Sequence, residues 1–365
     1  MLKRLKRLAK NALAVPAVRK TYERATRSLL EAGASSRISA TIYSFLGFVT
    51  FNREQYAVLA GRRSYYRNLG AARRTHVGLR RNTHRLEKGL LMQPRRDVFA
   101  RDYIEETVEF YARAAAGTGR DDAIDAQELT WANNVLTEYF SVVRPGEPAI
   151  DRARARFESV AVPAGVSTDA GFHPYPHSSI TPSPISYEDL LTLARQRRSV
   201  RWFADKPVPR DLVDKALLVA REAPSACNRL PYEYLVFDDP ALVKKVAGLP
   251  FGAGGYRHQI PMIIVVKGRL ESYFSPRDRH AIYIDSSLAT MGFILALETL
   301  GLSSTIINWP DFEPLEMKMQ KTLGLAPHER VVCLIAVGYA QPEALVACST
   351  KKSLDVLRSF NDAGQ

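Results

Sequence analysis

The chain has 365 residues, 46% of them hydrophobic and 24% charged, which excludes a disordered polyelectrolyte and supplies apolar material for more than one core. Three scattered cysteines, Cys227, Cys333 and Cys348, exclude a disulfide framework and a CxxC metal site. The net charge of +13 is lopsided: residues 1–100 hold 22 Lys and Arg against 5 Asp and Glu, a net of +17, while the other 265 residues hold 29 against 33, a net of −4.

The N-terminus reads MLKRLKRLAKNALAVPAVRK. Leu2, Leu5, Leu8 and Leu13 recur at helical spacing while Lys3, Arg4, Lys6, Arg7 and Lys10 fill the other face. Such a helix suits an anionic membrane surface; a solvated helix packed on its own domain is the plainer alternative. A secretory leader fits less well, because the apolar run 12–18 is short, interrupted by Pro16 and followed by Arg19 and Lys20. Residues 38–51 are apolar but fall short of the roughly 20 needed to span a bilayer, so they predict a buried or interfacial helix. No aromatic-basic reader motif accompanies the charge, and nucleic acid is not an expected partner.

From Arg53 to Glu158 the pattern stays helical. In NTHRLEKGLLMQPRRDVF (82–99), Thr83 is the expected cap, Leu86, Leu90 and Leu91 the expected inner face, and Gly89 the helix end. His84, Glu87 and Lys88 fall on related faces, which reads as a surface ion pair before an acid-base pair. Helices are expected at 105–116 and 125–142, the latter burying Leu129, Ala132, Leu136 and Tyr139 or Phe140. No strand signal precedes residue 180. Five prolines between 163 and 184 then mark a linker, and they leave His173 and His177 no helix on which to form a metal pair. The predicted division is thus a basic helical region (1–160), a Pro-rich linker (161–184) and a second domain (185–365).

That second domain alternates helix and strand. Ser186 caps an expected helix over 187–198, and a second helix is expected over 211–222. Short apolar runs at 234–237, 261–266, 304–307 and 331–337 have strand character. Residues 280–300 predict a helix that is apolar almost all round, hence buried on every side or set in an oligomer interface. The Gly252–Gly255 run lacks the Lys-Ser/Thr of a phosphate loop and reads as a mobile loop.

Chemistry concentrates between Arg197 and Asn228. Arg197, Arg198 and Arg201 surround Ser199, and guanidinium forks with a hydroxyl between them seat a dianionic phosphate. Asn228, in the turn APSACN, offers a donor and an acceptor to a planar heterocycle. Together with IPMIIVV (260–266), IDSSLATMGFILALETLGLSSTIINW (284–309) and VVCLIAVGYA (331–340), these segments resemble the FMN-dependent nitroreductase family over about half the chain. The resemblance implies an α+β fold, a nitroreductase-like three-layer α/β/α sandwich with a mixed central sheet, preceded here by the all-helical region. It implies FMN as cofactor, NADH or NADPH as electron donor, and an intertwined homodimer with flavin at the subunit boundary.

Carried over residue by residue, the resemblance assigns Arg197, Arg198, Ser199 and Arg201 to the FMN phosphate, ribityl chain and pyrimidine end. It assigns Ser225 and Asn228 to the flavin edge, the backbone at Asn308-Trp309 to flavin N5, and Lys351 and Lys352 to the phosphate. Leu230 and Tyr232 depart from the family's usual Gln and Trp, which alters the expected substrate contacts. No metal site and no acid, base or nucleophile is assigned. The implied activity is ping-pong oxidoreduction from NAD(P)H to an electron-poor organic acceptor, in the cytoplasm or at the inner face of a membrane. Two other readings stand beside it: an FMN-binding or scaffold module without turnover, and a basic peripheral membrane-binding protein.

Overall fold

A computed structural model of the chain describes residues 15–46, 48–69, 76–118 and 123–361; the basic amphipathic pattern of residues 1–13 lies outside them. The chain divides into two compact units, Met1–Tyr56 and Ala57–Gln365. In the first, α1 (Pro16–Ala34) and α2 (Arg37–Leu46) pair as a hairpin. Pro16 opens α1, where a missing N–H is harmless. The helices close at Gly33, where an added Cβ would lie 3.1 Å from the Tyr43 ring. Val18, Tyr22 and Leu29 on α1, and Ile38, Ile42 and Phe45 on α2, form two stripes of exposed apolar side chains. The apolar run 38–51 is therefore not one buried helix: α2 ends at Leu46, α3 (Phe48–Asn68) starts after it, and Ile38 is 75% exposed.

In the second unit, α4 (Val77–Leu90), α5 (Ile104–Ala116), α6 (Ala126–Val142) and α7 (Pro148–Glu158) surround a helical core of Leu79, Leu86, Ile104, Val108, Leu129, Leu136, Tyr139 and Ile150. The expected face of α6 is the buried one. Two expectations for α4 need correction. His76, not Thr83, caps the helix by accepting from the Leu79 N–H, and Thr83 lies buried in its middle. Leu91 follows the last helical residue and is exposed, because the chain has already turned away from the core.

Helix α8 (Tyr187–Gln196) carries the expected Ser186 cap, completed to a capping box by Asp189. Then follow α9 (Arg210–Ala220), β1 (Tyr232–Phe237), α10 (Pro240–Ala247), β2 (Met262–Arg269), α11 (Ala281–Thr299), β3 (Ser303–Asn308), α12 (Glu313–Leu323), β4 (Glu329–Gly338) and α13 (Leu354–Leu357). The strands form one sheet in the order β1-β2-β4-β3, each pair antiparallel. Its parallel component, among the described residues, is an isolated bridge between Ser199 and Ser304. Two cores share this sheet. Ile263, Val265, Leu334 and Ala336 pack with α10 and α12, and Met262, Ile264, Val266, Ile335 and Val337 pack with α9 and α11. The alternation along β2 and β4 thus sends neighbouring residues to opposite faces, which makes the expected three layers.

Helix α11 packs Ala289, Phe293 and Leu297 inward, but it is not buried on every side: Ile284, Leu288 and Met291 stand exposed one turn apart.

Candidate functional site

The arginine segment leaves α8 at Arg197 and runs across the ends of β3 and β4. Val200 N–H donates to the Ser304 carbonyl at 3.0 Å, and Ala204 N–H donates to Tyr339 at 2.8 Å. Phe203 pairs with Ala340 in a second isolated bridge. Gln259 braces the segment further: its carboxamide oxygen accepts from Phe203 N–H at 2.6 Å and its amide donates to the Arg201 carbonyl. Gly338 must be glycine for this crossing, since a Cβ there would sit 2.7 Å from the Phe203 ring.

The backbone is fixed while the cations stay available. Arg198 donates to the Cys348 carbonyl at 3.3 Å, which brings the segment containing Lys351 and Lys352 to the arginine segment. Arg201 lies beside the Tyr256 hydroxyl, and its charge opposes the upward push that burial gives the phenol. Arg197 faces Glu298, whose half-burial raises its carboxyl while Gln196 and Arg197 counter the rise. Arg198, Arg201, Lys351 and Lys352 enter no ion pair with a carboxylate among the described residues, unlike Arg210, held by Asp238 at 2.6 Å. Cations left without internal counter-charges beside the Ser199 hydroxyl fit a phosphate.

Ser225 and Asn228 form a second group. Cys227, Asn228 and Leu230 have φ of 55°, 50° and 45°, left-handed conformations that cost non-glycine residues about 1–2 kcal/mol each. Such a turn persists only if its surroundings hold it. Ser225 supplies two internal ties, its carbonyl accepting from Asn228 N–H at 2.9 Å and its hydroxyl from Leu230 N–H at 3.0 Å. Asp285 of α11, 4% exposed, accepts from Ala226 N–H at 3.0 Å and from the Tyr273 hydroxyl at 2.9 Å. Burial and that carboxylate push the Tyr273 phenol well up, and the Arg229 guanidinium lies 4.8 Å over its ring. On the opposite side Arg80 of α4 donates to the Asn228 carbonyl at 2.9 Å. Of the two departures, Leu230 closes the turn through its backbone. Tyr232 starts β1 with its hydroxyl toward the Ala220 carbonyl at 3.5 Å, and burial pushes its pKa up to about 12.

Asn308 and Trp309 end β3. Asn308 is exposed; Trp309 is buried, and its indole donates to Glu316 at 2.5 Å, so the Asn308 side chain and the backbone there face outward while the indole does not. The structure therefore sets Arg197–Arg201 against Ser304 and Cys348, with Lys351 and Lys352 three and four residues further along the chain. Ser225–Asn228 lies against α4 and α11, and Asn308-Trp309 at the end of β3. Sequence reasoning missed Gln259, Asp285 and Arg80. Asp285 had a signal, as a lone acid in an apolar helix; Gln259 had none; Arg80 was hidden among surplus arginines.

The nitroreductase family profile matches residues 194–253 and 254–339. An NADH dehydrogenase of Thermus thermophilus is 27% identical over 186 residues, 42% of this chain and 88% of that protein. An iodotyrosine deiodinase of Thermotoga neapolitana is 28% identical over 173 residues, 41% of this chain and 88% of the relative. An FMN-dependent nitroreductase from Clostridium difficile aligns in structure over 47% of this chain and 98% of its own, at 23% identity and a TM-score of 0.41. Over residues 194–339 the chain thus carries an oxidoreductase domain of the nitroreductase family.

Proposed function

We propose that the protein is an FMN-dependent oxidoreductase that takes electrons from NADH or NADPH and passes them to an electron-poor organic acceptor in ping-pong order. The observation that carries this reading is the arginine segment itself: Arg201 donates to the Ser199 carbonyl at 3.4 Å, Arg198 to the Cys348 carbonyl at 3.3 Å, and neither guanidinium has a carboxylate partner among the described residues. Bound FMN would supply the redox chemistry. Arg197, Arg198, Lys351 and Lys352 hold the phosphate, and Ser199 directs it with a hydroxyl donor. Arg201 stabilises negative charge at the pyrimidine end, and Asn228 with the backbone at Asn308-Trp309 orients the ring. The relatives' names, NADH dehydrogenase and iodotyrosine deiodinase, support reductive chemistry and leave the acceptor class open between quinone-like and halogenated aromatic compounds. An absorbance spectrum before and after anaerobic NADH or NADPH tests the reading. A flavin spectrum that bleaches supports it, and protein that takes up no FMN overturns it.

The working unit is a homodimer. The exposed stripe Ile284, Leu288 and Met291 on α11, with Leu218 and Val219 beside it on α9, is the apolar face that a second copy would cover. Contact with anionic lipid is favoured by the two exposed apolar stripes of α1 and α2 on a unit that holds 11 Lys and Arg against 3 Asp and Glu. Both features are compatible with a cytoplasmic enzyme resting on a membrane's inner face.

A further inference from the structure

The helical region contributes one side chain to the turn around Asn228, and the groups behind it explain why it is there. Helix α4 packs against the 226–228 turn, and Arg80 points its guanidinium into the junction with only 15% of its side chain exposed. Its Nε donates to the Asn228 carbonyl at 2.9 Å while Nη1 pairs with Glu128 at 3.0 Å. The other Glu128 oxygen accepts from His76 N–H at 2.9 Å, so the carboxylate is fixed to the start of α4. The Trp131 ring lies 5.3 Å from the guanidinium carbon, and its indole N–H is held by Glu87 at 2.8 Å. Glu87 belongs to the HRLEKG segment, which the sequence alone reads as a surface ion pair before an acid-base pair. Arg80 is thus oriented by a carboxylate and an aromatic face, and its Nε donor meets a backbone carbonyl in the turn that holds three positive-φ residues.

We propose that Arg80 is a positioning residue: by holding the Asn228 carbonyl it locks the left-handed 227–230 turn in the conformation that receives the flavin. The helical region is then part of the cofactor site, and not an appendage to it. This rests on the flavin reading above for its consequence, but not for the clamp itself. With the carbonyl held by Arg80 and the Ala226 N–H held by Asp285, the turn is tied on both sides to rigid helices. Without Arg80 the turn keeps its internal ties and Asp285, but the peptide after Asn228 loses the donor that fixes its carbonyl and can rotate about ψ of Asn228 and φ of Arg229.

Arg80→Lys separates the clamp from the fold. It keeps a cation beside Glu128 and Trp131, but an ammonium on a linear stem cannot also present the Nε donor to Asn228. Hydrogen exchange of the flavin-free protein reads the turn through the Ala226, Asn228 and Leu230 amides, and FMN titration with visible circular dichroism reads the consequence. We expect at least tenfold faster exchange at 226–230 with α5 and α6 unchanged, and an FMN Kd raised about tenfold or more with an altered flavin dichroism, a tenfold Kd change being about 1.4 kcal/mol. Exchange and Kd within twofold of the parent would overturn the proposal. So would uniform acceleration through α5 and α6, which would make Arg80 a support of the helical core only. Parent protein that takes up no FMN would overturn the flavin reading, and the exchange comparison would still decide the clamp.

Discussion

Ser199 and Ser304 meet in a one-residue parallel bridge at the edge of β3, where Val200 N–H donates to the Ser304 carbonyl at 3.0 Å. This contact fixes the backbone between Arg198 and Arg201, so a substitution of either side chain acts on ligand binding more than on folding. Arg198→Ala should raise the FMN Kd by about tenfold to a hundredfold, from the loss of one charge-assisted hydrogen bond of about 1.5–3 kcal/mol. Its urea midpoint should stay near the parent's. Titration of flavin-free protein by fluorescence quenching checks this, and an unchanged Kd would remove Arg198 from the phosphate seat.

The apolar stripe on α11 makes an independent prediction. Leu288 is 48% exposed and faces away from Phe293 and Leu297, so a charge there costs the monomer little. In a self-complementary interface the same charge appears twice, close to the symmetry axis. Leu288→Asp should therefore shift the protein from twice the chain mass to the chain mass in light scattering. FMN affinity should fall with it if the flavin lies at the subunit boundary. A parent protein that is already monomeric would sink the dimer proposal.

Much of this domain was legible before the structure. The apolar runs of β2 and β4 were legible because strands buried on both faces read as near-continuous apolar runs, as Met262–Val266 do. Ser186 announced α8 because a capping box is a local arrangement. Thr83 misled for the opposite reason: a buried imidazole outside the pattern captured the cap, and no local rule anticipates His76 in that role. For α11 the sequence left two readings open, burial on every side and an oligomer interface, because composition cannot say which apolar side chains the same chain covers. Among site residues, Arg197 to Arg201 stood out by spacing. Arg80 and Gln259 did not, since their function depends on contacts with Asn228 and Phe203, 148 and 56 residues away.

The first unit should respond to lipid charge. Full-length protein is expected to sediment with vesicles containing anionic phospholipid, to do so less at high salt, and to stay free of zwitterionic vesicles. Replacing Ile42 and Phe45 with Ser removes exposed apolar area without touching the basic residues, and it should weaken sedimentation at fixed salt. Binding that ignores both lipid charge and these replacements would refute a membrane role for α1 and α2.

His76 makes the helical region acid-sensitive. Burial lowers its pKa to about 4 from the ordinary 6.5, and the neutral Nδ1 accepts from Leu79 N–H at 3.0 Å. Above pH 6.5 folded and unfolded chains are both neutral at this residue and it contributes no pH dependence. As pH falls from 6.5 toward 4 the unfolded chain gains the proton first, and stability declines by about 2 kcal/mol between pH 7 and pH 5. His76→Asn keeps a capping acceptor and should abolish that loss in urea titrations at the two pH values. Glu271 does not confuse the result. His328 and Ser64 hold its carboxyl at about 2 instead of 4.5, so its contribution is lost only as pH falls below about 4.5.

Arg330 supports the loop that follows β3. It is 2% exposed, donates to Asp311 at 2.6 Å and to the Tyr283 hydroxyl at 3.3 Å, and lies near the buried Glu316 that holds the Trp309 indole. Two outcomes compete for Arg330→Met. Removing a buried guanidinium relieves its desolvation, but it also takes the cation from Glu316, which is itself 2% exposed and cannot reach water as Asp311 can. Breaking one side of a buried pair usually costs about 3–5 kcal/mol, and the partial hydration of Asp311 puts this case near 3. Asp311→Asn keeps an acceptor for the guanidinium and should cost about 1 kcal/mol. Urea unfolding of the two variants tests the order. If Arg330→Met were as stable as the parent, neither Glu316 nor the loop at Trp309 would depend on that cation.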